Sequence, residues 1–355
     1  MWSFILKRLA QGVITVWFIA TATFFAMHNV PGDPLLNDRA MTAAIRANVE
    51  AKYGLDKPVA EQYVIYLGNL IRGDFGISFT QENREVNDII REHFPVSATL
   101  GILAVLFAAA GGVLWGALTA LYRNRMPDYV IMFFVILGIS VPSFVIAAVS
   151  QLMLVGVNSA LGVTLLPVAG WGTLSHMLLP ALVLGLGTMA YLTRLMRSSM
   201  LEVISSDYVR TAKAKGLPAA RIFTKHQLRN AILPVITVLG PSIAAITTGG
   251  FVVELVFAIP GLGRYFVQAV QQLDYTVIMG TTVFYGAFLV FMVIVVDVLY
   301  GLIVPRVRMQ ECLLILKQRS IFPPLAQSVK CRTTRDSPPV NVVHICSVIN
   351  GITGC

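Results

Sequence analysis

Six stretches of this chain run for about twenty residues without a single aspartate, glutamate, lysine or arginine. They lie near Leu9–Met27, Ser97–Leu121, Tyr129–Val155, Met177–Thr193, Val235–Val253 and Thr276–Val296. A helix of that length rises about 30 Å, the thickness of a bilayer's hydrocarbon core. In hydrocarbon every backbone N–H and C=O must be paired within the protein, which a helix does by itself. The expectation is an all-α integral membrane fold with six transmembrane helices. Composition agrees. Of 355 residues, 56% are hydrophobic and only 13% charged, against about 25% charged in soluble domains.

The first span follows Lys7 and Arg8, and Ala20-Thr21-Ala22 resembles a signal-peptide cleavage site. The apolar run nevertheless continues through Phe24, Phe25, Ala26 and Met27, so a retained helix is expected. Residues 29–95 are polar and mixed in sign, with more acids than bases, and form a small insert. Its segments IRANVEAKYG and VAEQYVIYLGNLI have helical apolar spacing.

The net charge of +9 falls in alternate connectors. Arg123 and Arg125 follow the second span, the long loop after the fourth is strongly basic, and Arg306 and Arg308 follow the sixth. The connector NSALGVTLLPVAGWGTLSH has no Lys or Arg, and the next outer connector has only Arg264. By the positive-inside rule the N-terminus, the basic loop and the C-terminus face the cytoplasm, and the insert lies outside.

The loop SDYVRTAKAKGLPAARIFTKHQLRNAILP, Ser206 to Pro234, carries six Lys or Arg between Arg210 and Arg229. It reads as a helix over about Arg197–Lys215 and a second helix to about Ala231. Gly216 suits the left-handed residue that ends a helix, and Pro218 suits the first turn of the next. Attraction to anionic lipid explains the charge. It does not explain the elbow, or the small side chains Thr211, Ala212 and Ala214, which suit close contact with another protein.

The stretch YVRTAKAKGL, Tyr208 to Leu217, followed by RNAILP, resembles the cytoplasmic loop of binding-protein-dependent ABC transporter permeases, in the branch importing peptides, nickel and glutathione. Pro31-Gly32-Asp33-Pro34, Tyr53-Gly54-Leu55-Asp56-Lys57-Pro58, Gly73-Asp74-Phe75-Gly76-Ile77-Ser78, VVELVFAIPGLGRYFVQAVQQLDY and VDVLYGLIVPRVR resemble that branch in the same order. Two departures stand out. Arg210-Thr211-Ala212 replaces the general Glu-Ala-Ala start, a variant of the peptide branch, and Val304 replaces an Asp before Pro305-Arg306.

The resemblance implies a type I ABC importer permease fold, the longer first subunit of a pair. Residues 1–95 would be the first span and extracytoplasmic insert, and 96–308 the permease domain with its coupling loop at 197–232. The tail 309–355 would lie outside the fold. The implied function is translocation of di- or oligopeptides by alternating access, with nickel or glutathione import as the alternative. The implied location is a bacterial or archaeal cell membrane. Implied partners are a second permease, two cytoplasmic ATPase subunits that use the ATP, and an extracytoplasmic binding protein. This chain would bind no cofactor. Arg210, Lys213, Lys215, Gly216 and Leu217 would contact an ATPase with Tyr208, Thr211, Ala212 and Pro218 around them, while His226 and Arg229 would hold the second helix.

Other chemistry is poorly supported. Gly-Lys occurs nowhere, so there is no P-loop. HExxH and GxGD are absent, and Gly138-Ile139-Ser140 lacks an intramembrane protease's flanks, so the chain is not expected to be an enzyme. The elbow could mimic a DNA-binding helix-turn-helix, but it is tethered between two spans. Glu254 and Asp297 abut spans and are expected to be structural or gating acids, whereas Asp128 in a basic connector needs no special role. Pro142, Ser143 and Phe144 are pore candidates. His28 and His176 are expected interface residues, with no metal site. Gly111, Gly112, Gly185 and Gly187 suit helix packing. Cys312, Cys331, Cys346 and Cys355 all follow the last span with no CxxC pair and receive no role.

Overall fold

The computed structural model describes residues 2–29, 57–81 and 84–303. Tail residues 304–355 lie outside the described residues, as do Pro31–Pro34 and most of the Tyr53–Pro58 block. Met1–Tyr300 forms one compact unit; of the second, Gly301–Cys355, only Gly301–Ile303 is described, within the last helix.

Among the described residues six helices are long and apolar enough to cross a membrane, as expected. Helix α1 is Trp2–Asn29, and α2, Val59–Ile71, belongs to the insert. Helix α3, Val86–Leu121, has 36 residues, about 54 Å at 1.5 Å per residue. It therefore outreaches the bilayer. Pro95, expected at the boundary of insert and span, lies inside it. The turns before Pro95 persist because Val86, Ile89 and Ile90 are buried against Leu262, Val277 and Ile278. Packing of an apolar face outweighs the local cost of the proline.

The expected third span, Tyr129–Val155, is two helices: α4, Met126–Ser140, and α5, Ser143–Leu161. The break is at Val141, with φ −90° and ψ 126°. The ring of a following proline clashes with helical backbone and pushes the preceding residue to extended angles. Helix α6, Leu174–Ser205, extends well past the expected Thr193. Next come α7, Asp207–Ala214, then α8, Ala219–Arg221, a π-helical stretch Ile222–Leu228, and α9, Arg229–Ala231. Helix α10, Leu233–Gly249, and the short α11, Phe251–Val256, form the fifth span. The amphipathic α12, Leu262–Gln272, precedes α13, Tyr275–Ile303.

Helix α6 is the hub, packed along α3 and touching α4, α5 and α10. Small residues permit this. A Cβ on Gly112 would meet Leu192 at 2.6 Å, and one on Gly185 would meet the Ala104 carbonyl at 2.5 Å. Backbones that close gain dispersion contact, which drives helix association in lipid. Gly187 differs: it is exposed and opens onto a cleft.

Candidate functional site: a bent basic loop and the seam beneath it

The first loop helix does not run unbroken from Arg197. Its initial turns are the end of α6, and the chain breaks at Ser206, with φ −70° and ψ 151°. There the Ser206 hydroxyl donates to the Val203 carbonyl at 2.6 Å, a local bond that competes with the helix ladder. Helix α7 then ends as expected. Gly216 has φ +73°, and its N–H donates to the Lys213 carbonyl at 3.0 Å. Pro218 stands one residue before α8 rather than in its first turn, at φ −62° and ψ 142°. Its carbonyl accepts from the N–H groups of Arg221 and Ile222.

The elbow has its own small core. Val209, Ala212 and Ile222 are buried together, with Val203 and Leu217 against them. Ala212 thus faces inward and supports the bend, unlike the outward small face expected. Arg210, Thr211, Lys213, Lys215, Gly216 and Pro218 are exposed, and a Cβ on Gly216 would meet nothing within 4 Å. The Arg210–Asp207 approach, 3.7 Å between exposed side chains, leaves the cationic character intact, since such pairs contribute little. Arg229 is exposed and His226 half-buried. A tie across the elbow is made by Asn230. Its Nδ2 donates to the Tyr208 hydroxyl at 3.2 Å and to the His226 carbonyl at 2.9 Å.

Beneath the loop lies a pair the sequence reading missed. Asp128 is buried, and Arg197 grips it with both arms: Nε to Oδ1 at 2.9 Å and Nη2 to Oδ2 at 2.8 Å. The Asn124 N–H adds a third bond at 3.0 Å, from a residue at φ +61°. Asp128 therefore has a specific role after all. The only available signal was an acid in the first turn of a span preceded by arginines.

Helices α4 and α6 also line an open cleft of about 390 Å³ around the helix break. Pro142 and Ser143 line it with Gly187, Thr188, Tyr191 and Arg194. Phe144 is not in its wall and is half-exposed. Tyr191 and Arg194 were missed because each looks like an ordinary span-end residue.

At the opposite end, two buried carboxylates act as anchors. Glu254 accepts from the Ser97 hydroxyl, the Gly263 N–H and, at 3.2 Å, the Arg264 N–H. Ser97 in turn accepts from the Leu262 N–H at 2.9 Å. An acid at the N-terminus of α12 pairs the amides that no helix can pair by itself. Asp274, not singled out from sequence, accepts from the hydroxyls of Ser78 and Thr80, the N–H groups of Phe79 and Thr80, and the Val277 N–H. It caps α13 and clasps the insert; an Asp just before an apolar run was the legible sign. Asp297 lies within α13, with its side chain outside the described residues. His28 bridges the Phe24 carbonyl and Gln62, and His176 bonds Thr173.

Two family descriptions match the chain. Residues 1–101 fit the N-terminal membrane component of binding-protein-dependent transport systems, and residues 112–309 fit the inner membrane component of those systems. The chain belongs to this transport family. It is thus a multi-pass inner-membrane permease. A dipeptide transport system permease protein of Bacillus subtilis is 45% identical over 308 residues, 87% of this chain and 98% of that protein. An oligopeptide transport system permease protein of Haemophilus influenzae is 44% identical over 310 residues, 87% of this chain and 100% of that protein. Among solved structures, a methionine ABC transporter in inward-facing conformations gives a TM-score of 0.47 at 16% identity, over 61% of this chain and 94% of that chain. That likeness is too loose to add to the assignment.

Proposed function

We propose that this permease carries di- or oligopeptides into the cell, by alternating access driven by two separate cytoplasmic ATPase subunits that dock on the Gly216 elbow. The observation that carries the reading is the elbow itself: Lys213, Lys215 and Gly216 stand exposed on a self-supporting core, with open space around the bend. Kinship with dipeptide and oligopeptide permeases supports the substrate class. The loop and the connector bearing Arg123 and Arg125 share one end of the bundle, joined through Asp128 and Arg197. Basic residues collect on the cytoplasmic side, so that end faces inward and the insert outward.

Physical cost explains why such a machine exists. Each unpaired backbone group of a peptide costs several kcal/mol in hydrocarbon, and charged termini cost more. A cavity open to one side at a time avoids both. A second homologous permease completes the pore, an extracytoplasmic binding protein delivers the solute, and ATP is used only by the partners. The test is uptake into proteoliposomes holding both permeases and both ATPases, with binding protein outside and ATP inside. Labelled dipeptide should accumulate only with all components present. Accumulation of nickel or glutathione but not peptide would overturn the substrate assignment.

A further inference from the structure

The grip of Arg197 on Asp128 has no evident purpose in stability alone. Replacing a buried ion pair by apolar groups of similar size is often neutral or favourable in free energy. What a two-armed guanidinium–carboxylate contact supplies is fixed geometry. Here it joins two particular helices at a particular level. Arg197 lies just over two turns before the Ser206 break where the loop begins, and Asp128 lies in the first turn of α4. The same helices meet again at Gly138, where a Cβ would be 3.3 Å from that of Ala190. Beyond that crossing the cleft opens, walled by Gly138 and Ile139 of α4, by Thr188 and Tyr191 of α6, and by Pro142 at the break. The chain passes from α4 to α5 through Val141 and Pro142, both with extended ψ angles of 126° and 139°.

We propose that Asp128 and Arg197 are a positioning pair that makes α4 follow α6 when the loop moves, so that loop motion changes the angle at Val141–Pro142 and with it the width of the cleft. Neither residue touches the solute. The inference rests on the reading that the loop receives motion from ATPase subunits. Without the grip, α6 moves and α4 lags; the motor still turns over, but the cleft does not respond.

The experiment uses the complete transporter in proteoliposomes, with uptake and ATP hydrolysis measured together. Asp128→Asn should keep hydrolysis within about twofold of wild type while uptake falls at least tenfold. Arg197→Lys, which keeps the charge but loses one arm, should fall between. The double variant Asp128→Ala with Arg197→Ala should lose no more uptake than the worse single, as expected for two groups acting as one. Spin labels at the exposed Phe134 of α4 and Ser205 of α6 supply a readout that needs no solute. Their separation should be the same with and without ATP in the wild type and should change with ATP in Asp128→Asn. Uptake and hydrolysis falling in proportion in both Asp128→Asn and Arg197→Lys, or a label separation that responds to ATP equally in wild type and variant, would overturn the proposal. A wild-type loop that stays still on ATP binding would instead overturn the motor reading beneath it.

Discussion

The clearest quantitative test is Gly261→Ala. Gly261 has φ −88° and ψ 165°, so alanine fits its backbone without strain and any penalty is steric. The added Cβ would lie 2.6 Å from Ser97 Oγ and 2.7 Å from Glu254 Cδ, and closer still to Oε2. The Glu254 carboxylate must therefore move, and the N–H groups of Gly263 and Arg264 lose their acceptor. Leaving a buried donor unpaired costs about 1–3 kcal/mol, and forcing atoms into a packed site costs about 1–3 kcal/mol. A total of about 4 kcal/mol is expected. Glu254→Ala alone should cost about 2 kcal/mol by stranding the same amides. The two together should cost at least about 1 kcal/mol less than their sum, because the amides are stranded once rather than twice and only the contact with Ser97 Oγ remains of the clash. The assay is reversible denaturant unfolding of the purified subunit in detergent for the four-member cycle. Costs that add to within about 0.5 kcal/mol, or a Gly261→Ala protein as stable as wild type, would refute the account of Glu254 as the anchor of α12.

At Gly216, a left-handed φ costs an ordinary residue about 1–2 kcal/mol, asparagine less, and the surrounding space is open. Asn, Ala and Trp variants should all reach the membrane, with uptake near normal for Gly216→Asn and lost for Gly216→Trp; equal uptake by the Ala and Trp variants would mean that no partner reads the elbow. Asp274→Asn turns an amide towards hydrogen-bond donors, a loss of about 2 kcal/mol. Hydrogen exchange at Thr80 should quicken at least tenfold, and unchanged protection would contradict the clasp.

The helix breaks show where sequence reasoning succeeded and where it stopped. Gly216 was legible because the need for a left-handed residue is local, and glycine meets it wherever it sits. Val141 was not read as a break within the third span, although the proline that follows it is the local cause. Ser206 was not legible, since serine is tolerated inside helices and only its turn to the Val203 carbonyl marks the break. Pro95 was misread as a boundary because the packing that carries α3 through it comes from α12 and α13. Asp128 was passed over because its partner is 69 positions away.

Span number, the site of the elbow and the alternation of charge follow from the sequence alone, because charge-free length, glycine and the sign of a loop act within one or two turns of chain. The partners of Asp128, Glu254 and Asp274, the inward turn of Ala212 and the cleft at Pro142 belong to the tertiary structure. A buried carboxylate is satisfied by whichever donors the packed helices bring to it, and those donors come from segments that only the fold makes neighbours.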